Sequence, residues 1–240
     1  MKKLIKLPLV LSLIASTFVV SGCQTTSVNS LKNAYALSKS VNNATDVAKI
    51  RTRLAGQYIK TGQLDAAMRQ LELALIADDQ YAQAYDMMGV LLQQEGSTPN
   101  LQKADGYFKK AIKLADRAQT HNNYGVYLFQ VGRYQEALAE FKIAGSTLGY
   151  RGRIDALENL GRTYIKLDKK DQAIQTFFKV LENNPNSLVA HIELVDLLIE
   201  QERDVQAQNL LQNMLNLFGN QPLPARVVSQ EAKLEDRQFK

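Results

Sequence analysis

The stretch Thr120 to Ala144, THNNYGVYLFQVGRYQEALAEFKIA, sets the reading of the whole chain. Tyr124, Gly125 and Leu128 fall on one face of a first helix, and Gly132 and Tyr134 mark a turn. Ala137, Phe141 and Ala144 then recur at spacings of four and three, which places them on one face of a second helix. The small residues carry a packing expectation. Gly125 and Ala137 let two helix backbones approach closely, while the large residues fill the gap to the next helix. The stretch reads as one complete helix-turn-helix.

The order of these residues is that of the tetratricopeptide pattern L-G-x2-Y, G-x-Y, A-x3-F-x2-A. Further copies keep its register on both sides. The first has Leu54, Ala55 and Tyr58, then Gly62 and Leu64, then Ala67, Leu71 and Ala74. The second has Met88, Gly89 and Leu92 before Ala104, Phe108 and Ala111, with Gly89 and Ala104 15 residues apart where Gly125 and Ala137 are 12 apart. Gly96 to Asn100 is expected to absorb that insertion as a loop. After the third copy, Gly145 to Gly152 breaks the second helix and lengthens the junction by two residues. The fourth copy, with Leu160, Gly161, Tyr164, Ala173, Phe177, Val180 and the helix-stopping Pro185, is the most regular. Spaced 34 residues on, the fifth gives Leu194, Val195, Leu198, Ala207, Leu211 and Met214. The expected fold is an all-α tetratricopeptide-repeat superhelix over residues 46–220, with repeats near 48–81, 82–117, 118–153, 154–187 and 188–221. Residues 221–240 form a tail or cap, since the sparse apolar spacing from Pro224 to Phe239 suits one polar capping helix and a solenoid otherwise exposes its last apolar face.

Composition agrees with a folded chain: 240 residues, 45% hydrophobic and 22% charged, suffice for a sizeable core. The formal charge of +5 includes Lys2, Lys3 and Lys6, and without them 26 basic residues face 24 acidic ones. No clustered basic run accompanies this balance, so nucleic acid is not an expected partner.

The N-terminus points to a compartment. Basic residues precede an apolar run of 14 residues from Leu7 to Val20, short of the roughly 20 that span a bilayer. Residues 1–22 therefore read as a signal peptide. The following Val20-Ser21-Gly22-Cys23 resembles a bacterial lipobox, and Cys23 is the single cysteine, which rules out an intramolecular disulfide. The resemblance implies cleavage before Cys23 and acylation of that residue, whose several chains anchor far more firmly than one. Gln24, rather than Asp, resembles outer-membrane sorting, so the expected location is the periplasmic face of the outer membrane. Residues 23–45 then make the lipidated end and a polar tether, at most about 75 Å long when extended. Thr45 or Asp46 is placed to cap a helix beginning near Val47.

Catalytic chemistry finds little support. His121 and His191 are the two histidines and occupy the same early position in different repeats, with no Cys, His-x3-His pair or Gly-rich phosphate loop beside them. Carboxylates such as Glu136, Glu140, Asp155 and Glu158 are ordinary for helix faces. Neither an enzyme nor a metal or cofactor is expected. A binding face is. Positions 2, 5, 9 and 12 of each first helix are expected to line the concave side, which makes Val90, Asn122, Val126, Phe129, Arg162, Ile165, Ile192 and Ile199 the candidate partner-binding residues. The competing reading is that the apolar ones pack against the neighbouring first helix. Asn122 has no lysine five residues before it, so the clamp that holds acidic chaperone C-termini is missing.

The segments NNYGVYLFQVGRYQEA and ALENLGRTYIKLDKKDQA, with the Thr147-Leu148-Gly149-Tyr150 insertion between them, resemble the PilF/PilW type IV pilus biogenesis lipoproteins. The resemblance covers roughly residues 20 to 215 and is most specific at Asn122 to Gly125 and Glu158 to Gly161. It implies a pilotin, which accompanies a ring-forming outer-membrane secretin and promotes its localisation and multimerisation. Members usually carry a sixth repeat, whereas here only a cap follows the fifth. The alternative is a scaffold lipoprotein of the same architecture that serves peptidoglycan or β-barrel assembly.

Overall fold

In the computed structural model the described residues are 44–219, 222 and 224–238, and they form eleven helices and no strand. Cys23, the signal peptide and nearly all of the tether lie outside them. The first three pairs are α1 (Ala44–Lys60) with α2 (Leu64–Ala77), α3 (Ala82–Glu95) with α4 (Thr98–Leu114), and α5 (Ala118–Gln130) with α6 (Tyr134–Ser146). Then come α7 (Arg153–Lys166) with α8 (Lys170–Asn183), α9 (Leu188–Glu200) with α10 (Asp204–Phe218), and a single α11 (Ala225–Gln238). Among the described residues no helix is long and apolar enough to cross a membrane.

One turn recurs. Gly62, Gly132, Asp168 and Glu202 take positive φ (73°, 79°, 54° and 58°) at the end of α1, α5, α7 and α9. The next amide reaches back to a helix carbonyl each time, Gln63 N to Tyr58 O at 2.9 Å, Arg133 N to Leu128 O at 2.8 Å, and Lys169 and Arg203 likewise. Such a left-handed cap satisfies orphan carbonyls and turns the chain sharply enough for the second helix to lie against the first. Asp168 and Glu202 carry the Cβ cost that glycine avoids.

Two local expectations change. The insertion in the second repeat is not simply a loop: α4 starts at Thr98, and Pro99 sits in its first turn, where its missing N–H costs nothing. Glu95 organises the short link by accepting from Ser97 N, Ser97 Oγ and Asn100 Nδ2 at 2.9, 2.7 and 2.8 Å. The first helix also begins at Ala44 rather than near Val47, and the Thr45 hydroxyl donates to Asp78 Oδ2 at the end of α2 (2.7 Å).

The core repeats as the turns do. A Cβ on Gly89 would lie 2.8 Å from the Phe108 ring, one on Gly125 2.7 Å from Phe141, and one on Gly161 2.6 Å from Phe177. Gly125 thus makes room for a phenyl ring of the second helix rather than for close approach to Ala137. Where the ring is absent the hole closes, since Ala55 accompanies Leu71 in the first repeat and Val195 accompanies Leu211 in the fifth, all buried. The rings also join repeats: Phe108 lies 5.5 Å from Tyr124 and 5.6 Å from Tyr127 of the next first helix.

Each first helix packs on both helices of the preceding repeat, while successive second helices do not pack together. That asymmetry gathers α1, α3, α5, α7 and α9 on one side. The tail follows the same rule, for α11 packs on both α9 and α10 and buries Val227, Gln230 and Leu234 there. Gln230 Nε2 and Arg237 Nη1 each donate to a carbonyl of α9, those of Ile192 and Ile199, at 2.8 Å.

The glycine and ring pairs yield a prediction. Gly161→Ala should cost about 1–3 kcal/mol through overpacking, and adding Phe177→Leu should restore much of that loss by recreating the pairing of the first repeat. Denaturant midpoints of the two single variants and the double variant measure the coupling, and strict additivity would contradict it.

Candidate functional site

The inner side of the first three repeats holds a groove of about 620 Å³. Its lining comes from α1 (Arg53, Gly56, Ile59, Lys60), from α3 (Met87, Val90) and from α5 (Gln119, Asn123), with Tyr81 at the edge. The groove continues into a depression of about 380 Å³ that shares Val90 and Asn123 and adds Gln93, Gln94, Val126 and Gln130. Gly56 leaves this floor open, because Met87 is the nearest neighbour to the missing side chain, at 3.7 Å. Polar side chains tie the walls together: Gln93 Nε2 donates to Gln130 Oε1 at 2.8 Å across two repeats.

Asp86 lies under this groove, 4% exposed. Asn123 Nδ2 donates to both its oxygens, at 3.2 and 3.1 Å. Burial disfavours the carboxylate more than Asn123 and the Arg117 guanidinium favour it, so its pKa is pushed up to about 6. His121 is also buried, with Nδ1 2.5 Å from Glu140 Oε2 and Nε2 2.5 Å from Asp116 Oδ1. The Glu140 hydrogen bond, aided by Asp116, outweighs burial and raises its pKa. This pair of carboxylates locks α5 to α6 and to the preceding connection. His191 is a packing residue, its Nδ1 2.8 Å from Ser187 O and its ring edge-on to Phe218.

The candidate residues divide. Val90 and Val126 line the groove. Asn122 is half-buried with an Oδ1 that finds no hydrogen-bond partner, and its neighbour Asn123 takes the lining position. Phe129 is half-buried and meets Tyr134 edge-on at 5.2 Å, beside the turn. Ile165 is half-buried against the core, and Arg162 pairs with Glu193 at 3.3 Å. Ile192 and Ile199 are buried under α11, which occupies the place the sequence reading left for a partner. Arg226 of α11 adds ion pairs to Glu193 and Asp196 over the same stretch. Residues one step along the helix, Arg53, Met87 and Asn123, were missed because they show no shared apolar character that would mark a face.

A tetratricopeptide-repeat family model matches residues 154–187, the fourth repeat. The type IV pilus assembly protein PilF of Pseudomonas aeruginosa is 33% identical over 152 residues, 63% of this chain and 59% of PilF. The chain is built of tetratricopeptide repeats and is similar in sequence to PilF. The matched sequence thus spans about three-fifths of PilF's own length. The structure of P. aeruginosa PilF superposes with a TM-score of 0.72 at 27% identity, covering 81% of this chain and 87% of that one. PilW, a widely conserved type IV pilus biogenesis factor, superposes at 0.68 with 22% identity over 79% of this chain and 85% of its own, and shares the fold.

The buried carboxyl gives the chain a pH signature. A carboxyl whose pKa is raised by folding binds its proton more tightly in the folded state, so stability falls as pH rises from the unfolded value near 4 through the folded value near 6. Asp86→Asn should remove that fall and be more stable than the native chain at about pH 7. Thermal midpoints of both proteins between about pH 4 and 7 test this, and parallel curves would contradict it.

Proposed function

We propose that the chain is a lipid-anchored type IV pilus biogenesis protein that acts as a pilotin, binding the pilus secretin through the inner groove and promoting its outer-membrane localisation and multimerisation. The observation that carries this reading is the groove over α1, α3 and α5, whose apolar floor of Ile59, Met87, Val90 and Val126 lies open between polar rims. Similarity to PilF supplies the system in which such a groove works.

Acylated Cys23 confines the repeats to one membrane surface. A partner that arrives there is searched for at high effective concentration rather than throughout the periplasm. The groove then recognises an extended or helical apolar segment, a mode in which pockets for spaced side chains give specificity.

Val126→Glu places a charge on the groove floor at a half-exposed site, so the chain should stay folded while secretin multimers on a non-dissociating gel drop severalfold. Cys23→Ser should leave the fold unchanged and lower the same multimers by mislocalising the protein. Wild-type multimer levels with both variants would overturn the proposal.

A further inference from the structure

The connection between α6 and α7, residues 147–152, is the insertion that ordinary repeats do not need, and it stands beside the groove. A depression of about 460 Å³ lies between it and the start of α5, lined by Arg117, Gln119, Leu148, Tyr150 and Arg151. Gln119 lines both this depression and the main groove. Leu148 is 84% exposed, the highest value among the large exposed hydrophobics of the described residues. It is carried there by the turn at Gly149, where φ is 78°. Tyr150 is half-buried and fixed from below: a Cβ on Gly152 would come within 2.5 Å of its hydroxyl.

The arginines along this path make no direct ion pair with any described residue. Among the described residues Arg133, Arg162, Arg226 and Arg237 each hold a carboxylate, whereas Arg53, Arg117 and Arg151 hold none. Of the nearby acids, Asp86 is buried against Asn123 with Arg117 acting on it from a distance, Asp116 is engaged by His121, and Asp155, exposed in the first turn of α7, acts on Tyr150. A fork-shaped guanidinium without a partner is suited to a carboxylate supplied from outside.

We infer that the α6–α7 connection is the far wall of the partner groove and that the occupant is an extended protein segment bearing carboxylates around an apolar side chain. The apolar side chain seats between Leu148 and Tyr150, and the carboxylates pair with Arg117 and Arg151. A flat anionic membrane fits less well, because a lipid surface cannot follow a concave path from α1 to this wall. The inference rests on the secretin reading and adds the chemistry of the segment that is bound.

The test uses the full lipidated chain in detergent and the purified secretin as probe. Arg117→Gln with Arg151→Gln should weaken binding about tenfold and flatten its salt dependence. Leu148→Ser should weaken it about fivefold, and both proteins should melt as the native chain does because all three side chains are exposed. Native affinity in both variants, while Val126→Glu binds poorly, would overturn this inference and leave the pilotin reading standing. No binding of secretin by the native chain would overturn both. Vesicles of anionic phospholipid form a further arm: binding of the native protein to them that the same variants abolish, with secretin affinity unchanged, would replace the peptide by a lipid surface.

Discussion

The structure depends on a ring entering a gap that a missing side chain leaves. Gly89, Gly125 and Gly161 each receive the phenyl ring of Phe108, Phe141 and Phe177, at distances no Cβ tolerates. This contact fixes the two helices of a repeat in one register, since sliding either helix by a residue would bring a side chain against the ring. It also brings the ring through to the following first helix, as the contacts of Phe108 with Tyr124 and Tyr127 show. Register inside a repeat and stacking between repeats therefore come from one interaction. In the outer repeats Ala55 with Leu71 and Val195 with Leu211 fill the same space by other means, the exchange of volume that close-packed interiors require.

Stacking in turn makes the groove. Because each first helix packs on both helices of the previous repeat, the inner sides of α1, α3 and α5 come together as one surface. At the other end that surface is closed. The ion pairs of Arg226 with Glu193 and Asp196, and the donors from Gln230 and Arg237 to α9 carbonyls, seat α11 where a further first helix would lie. Helix α11 covers the inner side of α9, and the accessible groove lies toward the N-terminal repeats.

The fold was legible because its determinants are local and periodic. The glycine and phenylalanine spacings place the three middle helix pairs and the alanine of each second helix carries the register to the outer two, and the most regular copy is the one the repeat-family model matches. What escaped was the consequence of elements that do not repeat. Pro99 extends α4 where a loop was expected, because a proline is favoured in a first turn, and the tail covers Ile192 and Ile199. Period alone puts Val90 and Val126 on the inner side, and both line the depression there. Asn123 is not singled out this way, since its neighbour Asn122 is chemically identical and what separates them is the contact of Asn123 with Asp86 of the preceding repeat. By period alone Asp86 takes position 5 of its first helix, a lining position. Its burial, and the upward push on its pKa, follow from packing between two repeats that a single helical wheel does not contain.

On the proposed reading, the groove over α1, α3 and α5 holds a partner segment while the outer face of the repeats stays free. Amide hydrogen exchange of the full chain, with and without the secretin, tests that account most directly. The account predicts slowed exchange in α1, α3 and α5 when the secretin is bound, with α2, α4 and α11 unchanged. Protection confined to α11 or to the second helices of the repeats would contradict it.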